Sequence, residues 1–95
     1  MAFAPLDPIL HNQLRLAIMS LLMPLESADF NFLLEKTGAT RGNLSVQISK
    51  LKEAGYIEVT KSFKENYPNT ACRASALGIA AFEAYVAAIK GYLGG

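Results

Sequence analysis

Cysteine occurs once in this 95-residue sequence, at Cys72, so no disulfide can form within the chain. A lone cysteine on a strand reads as a small core side chain. With no oxidised framework, a reducing, cytoplasmic setting is the expectation. Histidine is equally scarce (His11 alone), and no glycine-rich run of the phosphate-cradling type is present. A metal site needs a cluster of cysteine, histidine and acid, and an active site needs a nucleophile, base and orienter together. The sequence offers neither within one chain, so no metal, cofactor or enzyme activity is expected; two copies of Cys72 meeting in a dimer, or Cys72 as a redox switch, are the alternatives. Long apolar runs are missing too. The best candidate, 16–25, is interrupted by Ser20 and Pro24 and falls short of the roughly 18 residues of a membrane span. No basic flank precedes an apolar stretch at the N-terminus, so neither a signal peptide nor a membrane partner is expected.

Charge is sparse as well, at 18% of residues with a net charge of +1, while 52% of the chain is apolar. Disorder requires the opposite balance, so the chain folds, as a single domain over 1–95. The small net charge hides an uneven distribution. Six of the nine basic side chains (Arg41, Lys50, Lys52, Lys61, Lys64, Arg73) fall within residues 41–73, against three of the eight acids. The positive charge is gathered in the middle third.

The local patterns order the chain. Asp7 and Pro8 suit the cap and first position of a helix in which Leu10, Leu14, Ile18, Leu21 and Leu22 recur at helical spacing. Pro24 ends it. A second helix is predicted from Asp29 as cap, with Phe30, Leu33 and Leu34 inward and Gly38 as its stop. Thr40 caps a third over 41–54, in which Leu44, Ile48 and Leu51 form one buried stripe and Gly55 follows the end. From Tyr56 the period changes to two, through Ile57, Val59 and Lys61. The turn formers of 65–69 then separate that strand from a shorter one over 70–74, so 56–74 reads as a hairpin. Ser75 caps a last helix over 76–93. The fold class is therefore mainly α with a small β-hairpin (α+β), in the order helix, helix, tight turn, helix, hairpin, helix. A three-residue turn with glycine, Gly38-Ala39-Thr40, sets two helices steeply across each other.

Specific strings now match a known pattern. They include Leu6-Asp7-Pro8, His11-Asn12 and Arg15-Leu16 in the first helix, and Ala28 to Leu33 in the second. Thr37-Gly38, Gly42-Asn43-Leu44-Ser45, Lys50-Leu51 and Glu53 to Tyr56 follow, then Ser75, Gly78 and Ala81-Phe82. The sequence resembles the small winged helix-turn-helix transcriptional regulators related to the MarR and ArsR groups, over nearly its whole length. The resemblance implies a dimeric DNA-binding fold whose third helix enters the major groove while the hairpin wing lies beside the backbone. It also implies repression more than activation. The sequence departs from the pattern at the wing. Lys64 to Asn69 stand where arginines are usual, Cys72 and Ala74 where larger apolar residues are usual, and Ile79 at a place often basic.

Projecting the third helix at about 100° per residue turns its apolar stripe inward and displays Arg41, Gly42, Asn43, Ser45, Val46, Gln47, Ser49 and Lys50. Arginine pairs with guanine, asparagine or glutamine with adenine, and a small apolar side chain with a thymine methyl. Gly42 allows close approach of the helix N-terminus to a phosphate. Lys61, Lys64 and Arg73 are the phosphate-contact candidates on the wing, with Lys64 and Arg73 ranked above Lys61. Arg15 has two candidate roles, contact with the DNA backbone or an ion pair with an acid of the dimer partner, and the structural ion pair is the one expected. The last helix carries only Glu83 and Lys90 as charges and is apolar almost all round, more than so small a core can absorb. That excess predicts a homodimer joined through Leu16, Met19 and Met23 of the first helix and Phe82, Tyr85, Val86, Ile89, Tyr92 and Leu93 of the last. A space between those helices would admit a small-molecule effector. The competing reading is a winged-helix protein–protein interaction module with little DNA affinity, which the near-neutral charge permits.

Overall fold

The computed structural model describes residues 3–94. Its elements run α1 (Gln13–Leu22), β1 (Ala28–Asp29), α2 (Phe30–Thr37), α3 (Arg41–Glu53), β2 (Ile57–Lys64), β3 (Tyr67–Ala74) and α4 (Ala76–Tyr92). The fold is α+β, four helices with a three-stranded antiparallel sheet in the order β1-β3-β2.

The caps are set by the residues expected, with one exception. Asp29, Thr40 and Ser75 each accept a hydrogen bond from the backbone N–H three residues on, and so start α2, α3 and α4. Gly38 and Gly55 end α2 and α3 with φ of 69° and 79°, a backbone that side chains resist. The exception is α1, which begins at Gln13 and not at Pro8. Asp7 caps only a turn: its Oδ1 accepts from the Ile9 N–H at 2.8 Å and its carbonyl from the His11 N–H at 2.8 Å. Asn12 then takes over, its side chain accepting from the Arg15 N–H at 2.9 Å. A short polar side chain that can bond its own backbone competes with helix wherever it stands, and here two such residues lie five apart. Leu10 is nonetheless fully buried, so the apolar phase held while the helix start moved.

The hairpin is longer than its sequence pattern suggested. β2 and β3 pair without a break from Ile57 opposite Ala74 to Lys64 opposite Tyr67. Only Glu65 and Asn66 turn, both at positive φ (53° and 68°), as a two-residue turn matched to strand twist requires. Tyr67, Pro68 and Asn69 therefore belong to the strand. β1 reaches β3 only at Ala71 and Cys72, so Pro68 faces an unpaired edge where its missing N–H removes no ladder bond. That two-residue β1 gave no alternation to read in the sequence.

Leu10, Ile18, Met19, Leu22, Leu33, Leu44, Leu51 and Cys72 are inaccessible to solvent and form the centre, with Ile48, Ile57 and Tyr85 around them. The burial of Met19, and the near-burial of Tyr85, correct the expectation that they face a partner subunit. Both fill the chain's own core, Met19 from α1 and Tyr85 from α4, in one cluster with Ile57 and Cys72 of the sheet. α4 is held at its start by close backbone contact. A Cβ on Gly78 would lie 2.0 Å from the Tyr56 carbonyl oxygen, so only glycine permits this approach. Further along, the Tyr85 hydroxyl and His11 Nδ1 are hydrogen-bonded at 3.0 Å. Tyr56 donates in turn to the Asp7 carboxylate, and that hydrogen bond, with partial burial and then the carboxylate charge, pushes its phenol up to about 12.

Candidate nucleic-acid interface

α3 presents a polar outer surface because its apolar residues are spent on one stripe. Leu44, Ile48 and Leu51 are buried, while Arg41, Gly42, Asn43, Ser45, Val46, Ser49 and Lys50 are exposed. Among the described residues nothing approaches within 4 Å of a Cβ placed on Gly42, so their packing does not demand glycine there. Val46 is half exposed, an apolar side chain on an otherwise polar face. Arg41 is held in place: its guanidinium lies 5.7 Å from the Phe30 ring centroid and donates to Asn31 Oδ1 at 3.3 Å.

Gln47 differs from its neighbours. It is half-buried, its Oε1 accepts from Arg15 Nη1, and its Nε2 donates to Asn43 Oδ1 at 3.0 Å. The same arginine donates through Nε to the Ile9 carbonyl at 2.6 Å. Among the described residues of this chain Arg15 meets no acid. Its donors are taken by a carbonyl that the irregular turn at 8–10 leaves free, and by Gln47. The effect is to tie the N-terminal turn and α1 to α3, and to fix Asn43 through Gln47.

Beside α3 a groove of about 480 Å³ runs between the helix and the hairpin. Arg41, Ser45, Ser49 and Lys52 line it from the helix, Val59, Lys61 and Thr70 from the sheet, and none of its lining residues is acidic. The unbroken register decides which basic side chains reach this side. Ile57, Val59, Lys61 and Phe63 share one face with their partners Ala74, Cys72, Thr70 and Pro68. Lys64 and Arg73 lie on the other face. There Arg73 Nε sits 3.8 Å from Glu58 Oε1 on an exposed pair, an interaction worth about 0–1 kcal/mol. Lys61, ranked lowest in the sequence, is thus the wing lysine beside α3. Lys52 was not singled out at all. Its signal was available, since it stands one position past Leu51 and flanks the stripe on the hairpin side.

Two other expectations concern chemistry. Cys72 is fully buried, and burial pushes its thiol from 9.0 up to about 11, so it stays a protonated core side chain at neutral pH. Among the described residues no group of three or more His, Cys, Asp or Glu is arranged to hold a metal ion. Among them, too, no helix is long and apolar enough to cross a membrane.

Two helices crossed through a short glycine turn, with a twisted hairpin flanking the second, define the winged helix-turn-helix class. The family described as winged helix DNA-binding domain matches residues 14–93, and the chain belongs to that family. An uncharacterized protein of Methanocaldococcus jannaschii is 36% identical over 78 residues, which is 82% of this chain and 85% of that protein. Among solved structures, the transcriptional regulator homologue from Pyrococcus horikoshii OT3 superposes with a TM-score of 0.83 at 27% identity. The match covers 90% of this chain and 84% of that one.

Proposed function

We propose that this chain binds double-stranded DNA in a sequence-specific manner as a homodimer and regulates transcription, as a repressor. The observation that carries the reading is the continuity of two surfaces. The outer face of α3, with Gly42 open to a close approach, runs directly into a groove whose charges are Arg41, Lys52 and Lys61. In this reading α3 is the recognition helix. Arg41, Asn43, Ser45, Val46, Ser49 and Lys50 address base edges, Gln47 braces Asn43, and Lys52 and Lys61 sit against phosphate. The solved regulator homologue supports a role in transcription.

The homodimer rests on what α1 and α4 leave uncovered. Leu16, Phe82, Val86 and Ile89 line an apolar groove between them, Met23 lies alongside, and Leu93 is largely exposed. Tyr92 is partly engaged within the chain, its ring 5.0 Å from that of Phe3 and its hydroxyl donating to the Ala4 carbonyl at 2.8 Å. The same groove is where a small-molecule effector would bind. Two-fold pairing through these helices would present two copies of α3 to half-sites about 34 Å apart.

A net charge of +1 favours the second reading, an interaction module with little DNA affinity. Titration of duplexes selected from a random pool separates the two. The proposal expects affinity that falls steeply with salt and drops further in Lys50→Glu, with sedimentation above the 10.3 kDa of one chain. Binding that ignores salt, or none, supports the interaction module. A 10.3 kDa species alone at micromolar concentration removes the homodimer.

A further inference from the structure

The hairpin carries two large aromatic side chains that no packing accounts for. Phe63 and Tyr67 are 79% and 75% exposed, at the tip of the wing. The strand below them is amply polar, so solubility alone would place a lysine or threonine at these positions. Their backbone is rigid in register up to a two-residue turn. Of the two, Phe63 lies on the sheet face shared with Val59, Lys61 and Thr70, the face that lines the groove beside α3. Tyr67 lies on the opposite face with Lys64.

Moving outward from α3, the order of chemistry is therefore fixed. First comes the polar helix face, then the groove with Arg41, Lys52 and Lys61, then Phe63. Phe63 stands two residues beyond Lys61, about 7 Å further along the strand. A DNA duplex presents the same order across its surface: a major groove, a phosphate ridge, then a minor groove about 6 Å wide. With α3 in the major groove and Lys52 and Lys61 on the ridge, Phe63 comes to the minor groove. There a flat apolar side chain has one productive contact, wedging against an unstacked base step.

We infer that Phe63 is an apolar wedge that the wing places in the DNA minor groove, where it reads the deformability of a base step and not its edges. The inference rests on α3 occupying the major groove as proposed above. The wing then contributes specificity through steps that open easily, TA and CA/TG, in place of the arginine contacts its tip lacks. Lys61 contributes affinity of the ordinary salt-dependent kind, so the two side chains separate in their readouts.

The test uses the full chain and a duplex selected from a random pool, end-labelled so that affinity and bending are read together. Phe63→Ala weakens binding roughly tenfold, the size of one lost stacking contact. It also straightens the bound duplex and leaves the slope of log affinity against log salt unchanged. Phe63→Leu restores most of the bend. Lys61→Ala keeps the bend and lowers the slope by about one per site. Because Phe63 is exposed, the melting temperature of Phe63→Ala stays that of the wild type, which separates the effect from misfolding. Wild-type affinity and bend in Phe63→Ala overturn the wedge while leaving α3 in place. A change in the mass of the free protein would overturn it in favour of a contact between copies. A wild-type chain that binds no duplex removes the underlying reading and the wedge with it.

Discussion

α3 and α4 spend their residues in opposite ways. α3 is mostly polar, and the apolar residues of its stripe (Leu44, Ile48, Leu51) lie in the core. α4 is four residues longer and mostly apolar, yet only Gly78 and Tyr85 are buried. Leu77, Ile79 and Leu93 are exposed to 57%, 38% and 77%. Water solvates the outer face of α3 at no cost, so that helix is complete in one chain and its polar side is free for a charged ligand. Apolar area left in water costs roughly 25 cal/mol per Å², so α4 is stable in place but unfinished. The difference separates two surfaces, one suited to nucleic acid and one suited to another apolar surface.

The sharpest way to break this contrast is to truncate equivalent apolar residues on the two helices. Leu51→Ala is expected to destabilise the fold by about 2–5 kcal/mol, because the cavity it leaves is enclosed. Leu93→Ala, at the C-cap of α4, is expected to change monomer stability by less than about 0.5 kcal/mol, measured by urea denaturation. Equal losses would erase the distinction. Next in size is charge on the unfinished surface. Ile89→Asp should convert the proposed dimer to a monomer in sedimentation while the far-ultraviolet dichroism persists, and a dimer that survives it uses another face. Smaller still is the cap of α3. Thr40→Ala removes the acceptor for the Asn43 N–H and should lower stability by about 1 kcal/mol, with Thr40→Ser retaining most of it.

The last effect is confined to alkaline pH and belongs to the core that both helices share. Cys72 and Tyr56 have folded-state values of about 11 and about 12, above their ordinary values of 9.0 and 10.0. A raised value means that the folded state holds the proton more tightly than the unfolded one. The stability so contributed is fully present below about pH 9 and is lost as pH rises through 9–11 for Cys72 and 10–12 for Tyr56. The melting temperature should be level up to pH 9 and fall above it. Cys72→Ala should remove the earlier part of that fall, and Asp7→Asn should reduce the later part.

Much of this was legible before any coordinates. The caps at Asp29, Thr40 and Ser75, the stop at Gly38 and the inward stripe of α3 are local chemistry, fixed within four residues of chain. The start of α1 was misplaced because Asp7 and Asn12 are both competent caps, and local preference does not rank them. The candidate interface was legible in its helix and not in its wing. Which face Lys61, Lys64 and Arg73 occupy depends on hairpin register, and register depends on whether the turn holds two residues or five.

The sequence by itself determined the order of the helices and the hairpin, the outward polar face of α3 and the surplus of apolar surface on α4, because each follows from side-chain period and capping. Tertiary structure alone decided that Arg15 binds Gln47 and the Ile9 carbonyl within the chain, and that Met19 and Tyr85 serve the chain's own core. It also decided that Lys61 and Phe63, not Arg73, stand on the α3 side of the wing. Those outcomes turn on which of several distant, chemically adequate partners lies within about 3 Å once the chain is packed.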